Sequence, residues 1–111
     1  MYQEVVDMKS FSTLVFSVLL MAVSSSGFAA DRDASELYPR TCAVCHAAAV
    51  AGAPKTGDVA AWQAKMEATG SMEAMIALVN SGKNAMPPKG MCMDCTDNEF
   101  KLLIEYMMQA Q

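Results

Sequence analysis

Apolar and polar positions recur along the second half of the chain with a period of three to four. Ser71 opens one such segment. Met72, Met75, Ile76 and Val79 then fall at i, i+3, i+4 and i+7, which predicts a helix over 71–80 with one apolar stripe. Gly82 stands where that helix needs a C-terminal cap. Thr96 and Glu99 have capping-box spacing, and Phe100, Leu103, Ile104 and Met107 repeat the stripe in a final helix. Asp58 is placed to cap a third helix with Val59, Trp62 and Met66 on one side. A fourth helix runs from about Asp33 into the Cys42 region, with Asp33 and Glu36 as a capping pair. Pro39 lacks an N–H and clashes with the preceding turn, so this helix kinks at Pro39 or restarts from it. No segment carries a convincing strand pattern. The predicted class is all-α.

Two irregular segments separate these helices. Residues 51–57 contain Gly52, Pro54 and Gly57, and residues 82–95 contain Pro87, Pro88 and Gly90. Loops of that length in a small domain usually serve a function.

The first thirty residues follow a different pattern. Met8-Lys9 gives a charged start, Phe11 to Val23 is a short apolar run, and Ser24 to Gly27 breaks it before the small residues Ala29 and Ala30. That is the order of a secretory signal peptide. The run is short for a membrane span, which needs roughly 20 apolar residues. Glu4 and Asp7 are unusual in a signal, which points to Met8 as the true start. Cleavage after Ala29 puts Gly27 at the −3 position, and cleavage after Ala30 puts the bulkier Phe28 there. The expected organisation is a signal over 1–30 and one domain over 31–111, with no stable membrane insertion after cleavage.

Composition narrows the chemistry. Lys plus Arg number 8 and Asp plus Glu 12, for a net charge of −4 and no basic run, which excludes a nucleic-acid binder. A chain as short as 31–111 seldom builds enough core without a staple. All four cysteines fall in that part, and export implies an oxidising compartment where thiols pair or become attached.

The central motif is Cys42-Ala43-Val44-Cys45-His46, the spacing of c-type haem attachment. Two thiols three residues apart reach the two vinyl groups of one haem, and the next residue is held where its imidazole meets the iron. His46 is the only histidine in the chain. Competing readings are a four-thiolate zinc site made with Cys92 and Cys95, a thiol-exchange pair, or a structural disulfide. The first leaves His46 idle, and the second needs a βαβ context that is lacking.

The iron's other axial ligand has a methionine candidate. Met66, Met72, Met75 and Met107 lie on helical stripes and serve packing. Met86 lies off any stripe and precedes Pro87-Pro88, which stiffen its loop. Met91 and Met93 are its rivals. A Met/His pair raises the haem potential. Cys92-Met93-Asp94-Cys95 has no histidine after it, so it is not a second haem site. A local disulfide suits an oxidising compartment, with a free redox pair as the alternative. The carbonyl of Pro54, eight residues past His46, is placed to accept the imidazole's other N–H. The Trp62 indole N–H has two readings, a donor to a haem propionate or ordinary core packing.

Taken in order, Cys42-x-x-Cys45-His46, Gly52-Ala53-Pro54-Lys55-Thr56-Gly57-Asp58, Trp62, Ala85-Met86-Pro87-Pro88-Lys89-Gly90 and Cys92-x-x-Cys95 resemble class I cytochromes c. More narrowly they resemble the cytochrome c5 family of proteobacteria. The resemblance implies a small fold of about four helices wrapped around one covalently attached haem c. It implies thioethers at Cys42 and Cys45, axial ligation by His46 and Met86, Pro54 holding the histidine, and a Cys92–Cys95 disulfide. Two places depart from the family pattern: Ala34, where a glycine is common four residues before the aromatic at Tyr38, and Pro39.

The function expected is a periplasmic one-electron carrier in a respiratory chain, not an enzyme. Its expected partners are membrane-bound or periplasmic redox proteins such as oxidases, reductases or other cytochromes.

Overall fold

The computed structural model describes Gly27 and residues 29–111. Most of the expected signal segment lies outside the described residues. Among the described residues the domain is helical, with one isolated antiparallel bridge between Lys83 and Met86 and no helix long and apolar enough to cross a membrane. The helices are α1 (Ala34–Leu37), α2 (Ala43–His46), α3 (Val59–Thr69), α4 (Met72–Ser81) and α5 (Asp97–Met108).

Caps set the ends of the three longer helices. The side chains of Asp58, Ser71 and Thr96 accept from the backbone N–H groups of Ala61, Ala74 and Glu99. Thr96 and Glu99 form a complete capping box. Gly82, at φ +76°, ends α4.

The first predicted helix is divided. The chain tightens into a 3₁₀ turn over Tyr38–Arg40, which tolerates Pro39 in its first turn, where an N–H has no partner to lose. Thr41 then leaves helical geometry at φ −128°, ψ −86°, and α2 begins at Ala43. The α-helix thus changes form at Pro39, as expected, and a second break follows at Thr41. Of the expected Asp33–Glu36 capping pair, Asp33 does cap α1 but Glu36 does not reciprocate. Asp33 accepts from the Ser35 N–H and hydroxyl, which holds its carboxyl below the usual range. Glu36 instead accepts from Arg40 at 3.1 Å, one turn along.

Helix α5 is the centre of the core, and its stripe faces two clusters. Phe100 and Leu103 pack with Leu37, Cys92 and Cys95, while Ile104 and Met107 pack with Trp62 and Met75. Each such large side chain removed from water contributes about 1.5–3 kcal/mol. Ala34 packs against the first cluster, so a small residue still stands where α1 meets α5. Tyr38 contacts Tyr106 with ring centroids 5.0 Å apart. Val59 departs from its expected side: it is exposed, and Trp62 and Met66 carry the inward face of α3.

The chain before α1 is tied to α5. Asp31 accepts from the Thr96 hydroxyl at 3.0 Å and from Asn98. Arg32 donates from its backbone N–H and its guanidinium to Glu99, and from the guanidinium to Asp94 at 2.9 Å. These bonds hold the Glu99 carboxyl down to about 2 and raise the Arg32 pKa.

Candidate cofactor site

Helix α4 does not bury its whole stripe. Met75 is buried, while Met72, Ile76 and Val79 are half-buried. The same helix borders a cavity of about 830 Å³ with Ala74, Met75, Leu78 and Val79. Its wall is mostly apolar and also includes Ile104 and Met107 of α5. The volume is in the range of small-molecule and cofactor sites. Cys42, Cys45, His46, Pro54, Trp62 and Met86 all line it, so one cavity collects the sequence-predicted candidates except the second cysteine pair.

His46 closes α2 and is buried. Its Nδ1 lies 2.8 Å from the carbonyl oxygen of Pro54. A carbonyl only accepts, so Nδ1 carries the proton and Nε2 keeps its lone pair for a metal. The loop supplying Pro54 is itself fixed. The Thr56 N–H donates to the His46 carbonyl at 2.8 Å, the Tyr38 hydroxyl to Thr56 Oγ1 at 2.8 Å, and the Gly57 N–H to the Met107 carbonyl at 2.8 Å.

Trp62 lines the cavity and stands beside His46, with ring centroids 5.4 Å apart and planes 26° from parallel. Its indole N–H donates to the Lys55 carbonyl at 3.0 Å. In this structure that single donor is spent on the loop that carries Pro54.

Met86 sits in a turn docked on the end of α4. The Lys83 N–H donates to the Met86 carbonyl at 3.0 Å, and the Met86 N–H to the Lys83 carbonyl at 2.9 Å. Gly82 lies against the same stretch: a Cβ there would stand 2.8 Å from the Met86 carbonyl oxygen and from the Pro88 nitrogen. Of the rival methionines, Met93 does not line the cavity and Met91 does so from an exposed position.

Cys42 and Cys45 form no disulfide with each other, and burial pushes the Cys42 thiol up. A raised thiol pKa is the opposite of what a thiol-exchange nucleophile needs. Cys92 and Cys95 are joined as a disulfide, buried in the α1–α5 core away from the cavity wall. That pairing is incompatible with a four-thiolate site shared with Cys42 and Cys45.

Sequence reasoning missed several contributors. Gly82 reads as a helix cap, not as a wall for the Met86 backbone. Lys65 and Lys83, the lysines of the cavity lining, carry no motif. Ala49, Ala51, Asn84, Lys89 and Met91 take positive φ values without being glycine, all in the two loops that border the cavity. Only Asn84 gives a compositional hint of that conformation.

A flat apolar cofactor suits such a wall: carbon groups on most sides, an imidazole nitrogen with its tautomer set, two thiols and a thioether. The chain's residues fit a haem, and a small helical domain built around one is a class I c-type cytochrome.

The family model described as cytochrome c oxidase, cbb3-type, subunit III matches residues 29–107. The chain is 44% identical over 86 residues to cytochrome c5 of Ectopseudomonas mendocina, covering 78% of this chain and 97% of that one. It is 42% identical over 76 residues to cytochrome c5 of Azotobacter vinelandii, covering 68% and 92%. It superposes on a mono-haem ferrocytochrome c from Shewanella putrefaciens with TM-score 0.62 and 42% identity, covering 75% of this chain and 100% of that one. It also superposes on a chain of an electron-transfer complex of nitrite reductase with cytochrome c, with TM-score 0.60 and 38% identity, covering 71% and 95%. The chain belongs to the cytochrome c5 family and is an electron-transfer protein, not an enzyme.

Proposed function

We propose that the chain is exported, loses residues 1–30, and works in the periplasm as a one-electron carrier of a respiratory chain. In this reading Cys42 and Cys45 would hold one haem c through thioether bonds, and His46 and Met86 would hold its iron. The observation that carries the reading is the His46–Pro54 contact of 2.8 Å at the wall of the cavity that Met86 also lines. Haem, when bound, supplies the iron that gains and loses one electron.

The residues around it hold that iron still. Pro54 keeps the imidazole in one tautomer and orientation, and Trp62 braces the same loop through Lys55. The Lys83–Met86 pair and Gly82 hold the thioether's backbone. The Cys92–Cys95 disulfide fixes the chain between the Met86 loop and α5. With His46 and Met86 both holding the iron, the bound group would serve electron transfer and not substrate binding.

Partners are membrane-bound or periplasmic redox proteins. Val44, Val50 and Met91 line the cavity and are exposed, a set of apolar groups for a small, transient contact. The likeness to a cytochrome seen with a nitrite reductase supports a reductase among such partners.

The test is a visible spectrum of protein made with a c-type maturation system, oxidised and reduced, repeated after acid–organic extraction. The reading requires sharp reduced bands that survive extraction and a far-red ferric band that Met86→Ala removes. A colourless protein after full maturation overturns it.

A further inference from the structure

We propose that Gly90 is a positioning residue for the Met86 thioether, leaving room for the Met86 methyl and so deciding how the sulfur turns within the cavity. This rests on the reading of Met86 as an iron ligand.

The backbone of Met86 has little freedom. It is paired on both its N–H and its carbonyl with Lys83, stands against Gly82, and leads into two prolines. What remains is rotation of the side chain. A thioether sulfur bears two carbons and two lone pairs, so placing Cε decides which lone pair is presented. A Cβ built on Gly90 would stand 3.3 Å from the Met86 Cε, its one contact within 4 Å outside its own turn. The bare face of Gly90 is thus a seat for one methyl group.

Backbone conformation alone does not explain the glycine. Lys89, Gly90 and Met91 form a run with φ +60°, +54° and +69°, and the two flanking residues carry side chains. Left-handed geometry is strained for an L-residue, and this turn bears it at both flanks. Its anchors are the Gly90 N–H on the Pro87 carbonyl at 3.0 Å, the Lys89 ammonium 5.6 Å from the Phe100 ring centroid, and the buried Cys92. A side chain at 90 would add strain of the kind that both flanks already bear; the new contact it would make is with Met86.

The experiment compares Gly90→Ala with Gly70→Ala in the haem-loaded protein. Gly70 has φ +99°, nothing within 4 Å of its built Cβ, and no part in the cavity wall, so its variant carries backbone strain alone. Gly90→Ala is expected to shift or weaken the far-red ferric band and to move the Met86 ε-methyl proton resonance of the reduced protein. It is also expected to speed cyanide binding to the ferric protein about tenfold, the factor that ~1.4 kcal/mol of lost ligation gives. Gly70→Ala is expected to lower the thermal midpoint and leave all three readouts in place. If Gly90→Ala does not fold, Gly90→Asn places the same Cβ on a residue that accepts left-handed geometry, and the same three readouts apply. A Gly90 variant indistinguishable from Gly70→Ala in these readouts overturns the proposal. Met86→Ala, run beside them, separates the two readings. If it keeps the far-red band, the ligand assignment fails; if it loses the band while Gly90→Ala keeps the wild-type spectrum, only the positioning role fails.

Discussion

Arg32 holds Glu99 through three donors, its backbone N–H and two guanidinium nitrogens, at 2.8–2.9 Å across 67 positions of sequence. Glu99 also completes the capping box of α5, so one buried carboxylate joins the start of the domain to its last helix.

That carboxylate makes stability depend on pH. Glu99 is held down to about 2 in the folded domain, against roughly 4.3 in an unfolded chain. Between those values the unfolded state binds more protons, so stability rises with pH through that window. The contribution is complete above the unfolded value and is lost as pH falls toward 2. Acid unfolding followed by far-ultraviolet circular dichroism should show this limb, and Glu99→Gln should flatten it. Thr96→Ala, which removes the other half of the box, should cost about 1 kcal/mol.

Gly82→Ala should disturb the cofactor site more than its surface position suggests. Its Cβ meets backbone at 2.8 Å, the Met86 carbonyl oxygen and the Pro88 nitrogen, with no flexible side chain to give way. The position also has φ +76°. A loss of about 1–3 kcal/mol is expected in denaturant melts, together with loss of the far-red ferric band. An unchanged spectrum would show that the loop can shift without moving the thioether.

Trp62→Phe keeps an aromatic ring beside His46 and deletes the donor to Lys55. The expected loss is about 1 kcal/mol of stability, with the reduced bands in place and the pH dependence of the potential unaltered. A changed pH dependence would mean that this N–H serves a propionate after all.

Replacing Cys92 and Cys95 together by alanine should leave haem loading intact and lower stability. The loop that the bridge closes is short, with a sequence separation of 3, for which the chain-entropy account gives about 2 kcal/mol. Loss of two buried sulfurs from the cluster with Leu37, Phe100 and Leu103 adds to it. Guanidinium unfolding of the loaded variant measures the total.

Sequence alone determined what depends on neighbours a few positions apart. Ser71, Asp58 and the Thr96–Glu99 box mark where helices begin, because a cap bonds within its own first turn. The α5 stripe of Phe100, Leu103, Ile104 and Met107 is legible because helical period and burial share one face. The attachment motif is legible because its chemistry needs a fixed short spacing, and Met86 stands out because it lies off every helical stripe and precedes Pro87-Pro88. The rest required partners that no local pattern names. The first helix breaks at Thr41 as well as changing form at Pro39, and Val59 turns outward once α3 has packed. The Trp62 N–H goes to Lys55 because the folded loop brings that carbonyl within 3.0 Å. Glu36 turns to Arg40, while Glu99 is claimed by Arg32 from the far end of the domain. Gly82 and Gly90 look like ordinary turn glycines in sequence. Only packing shows that one leaves room for the Met86 backbone and the other for its methyl, because an absent Cβ has meaning only against the atom that would meet it.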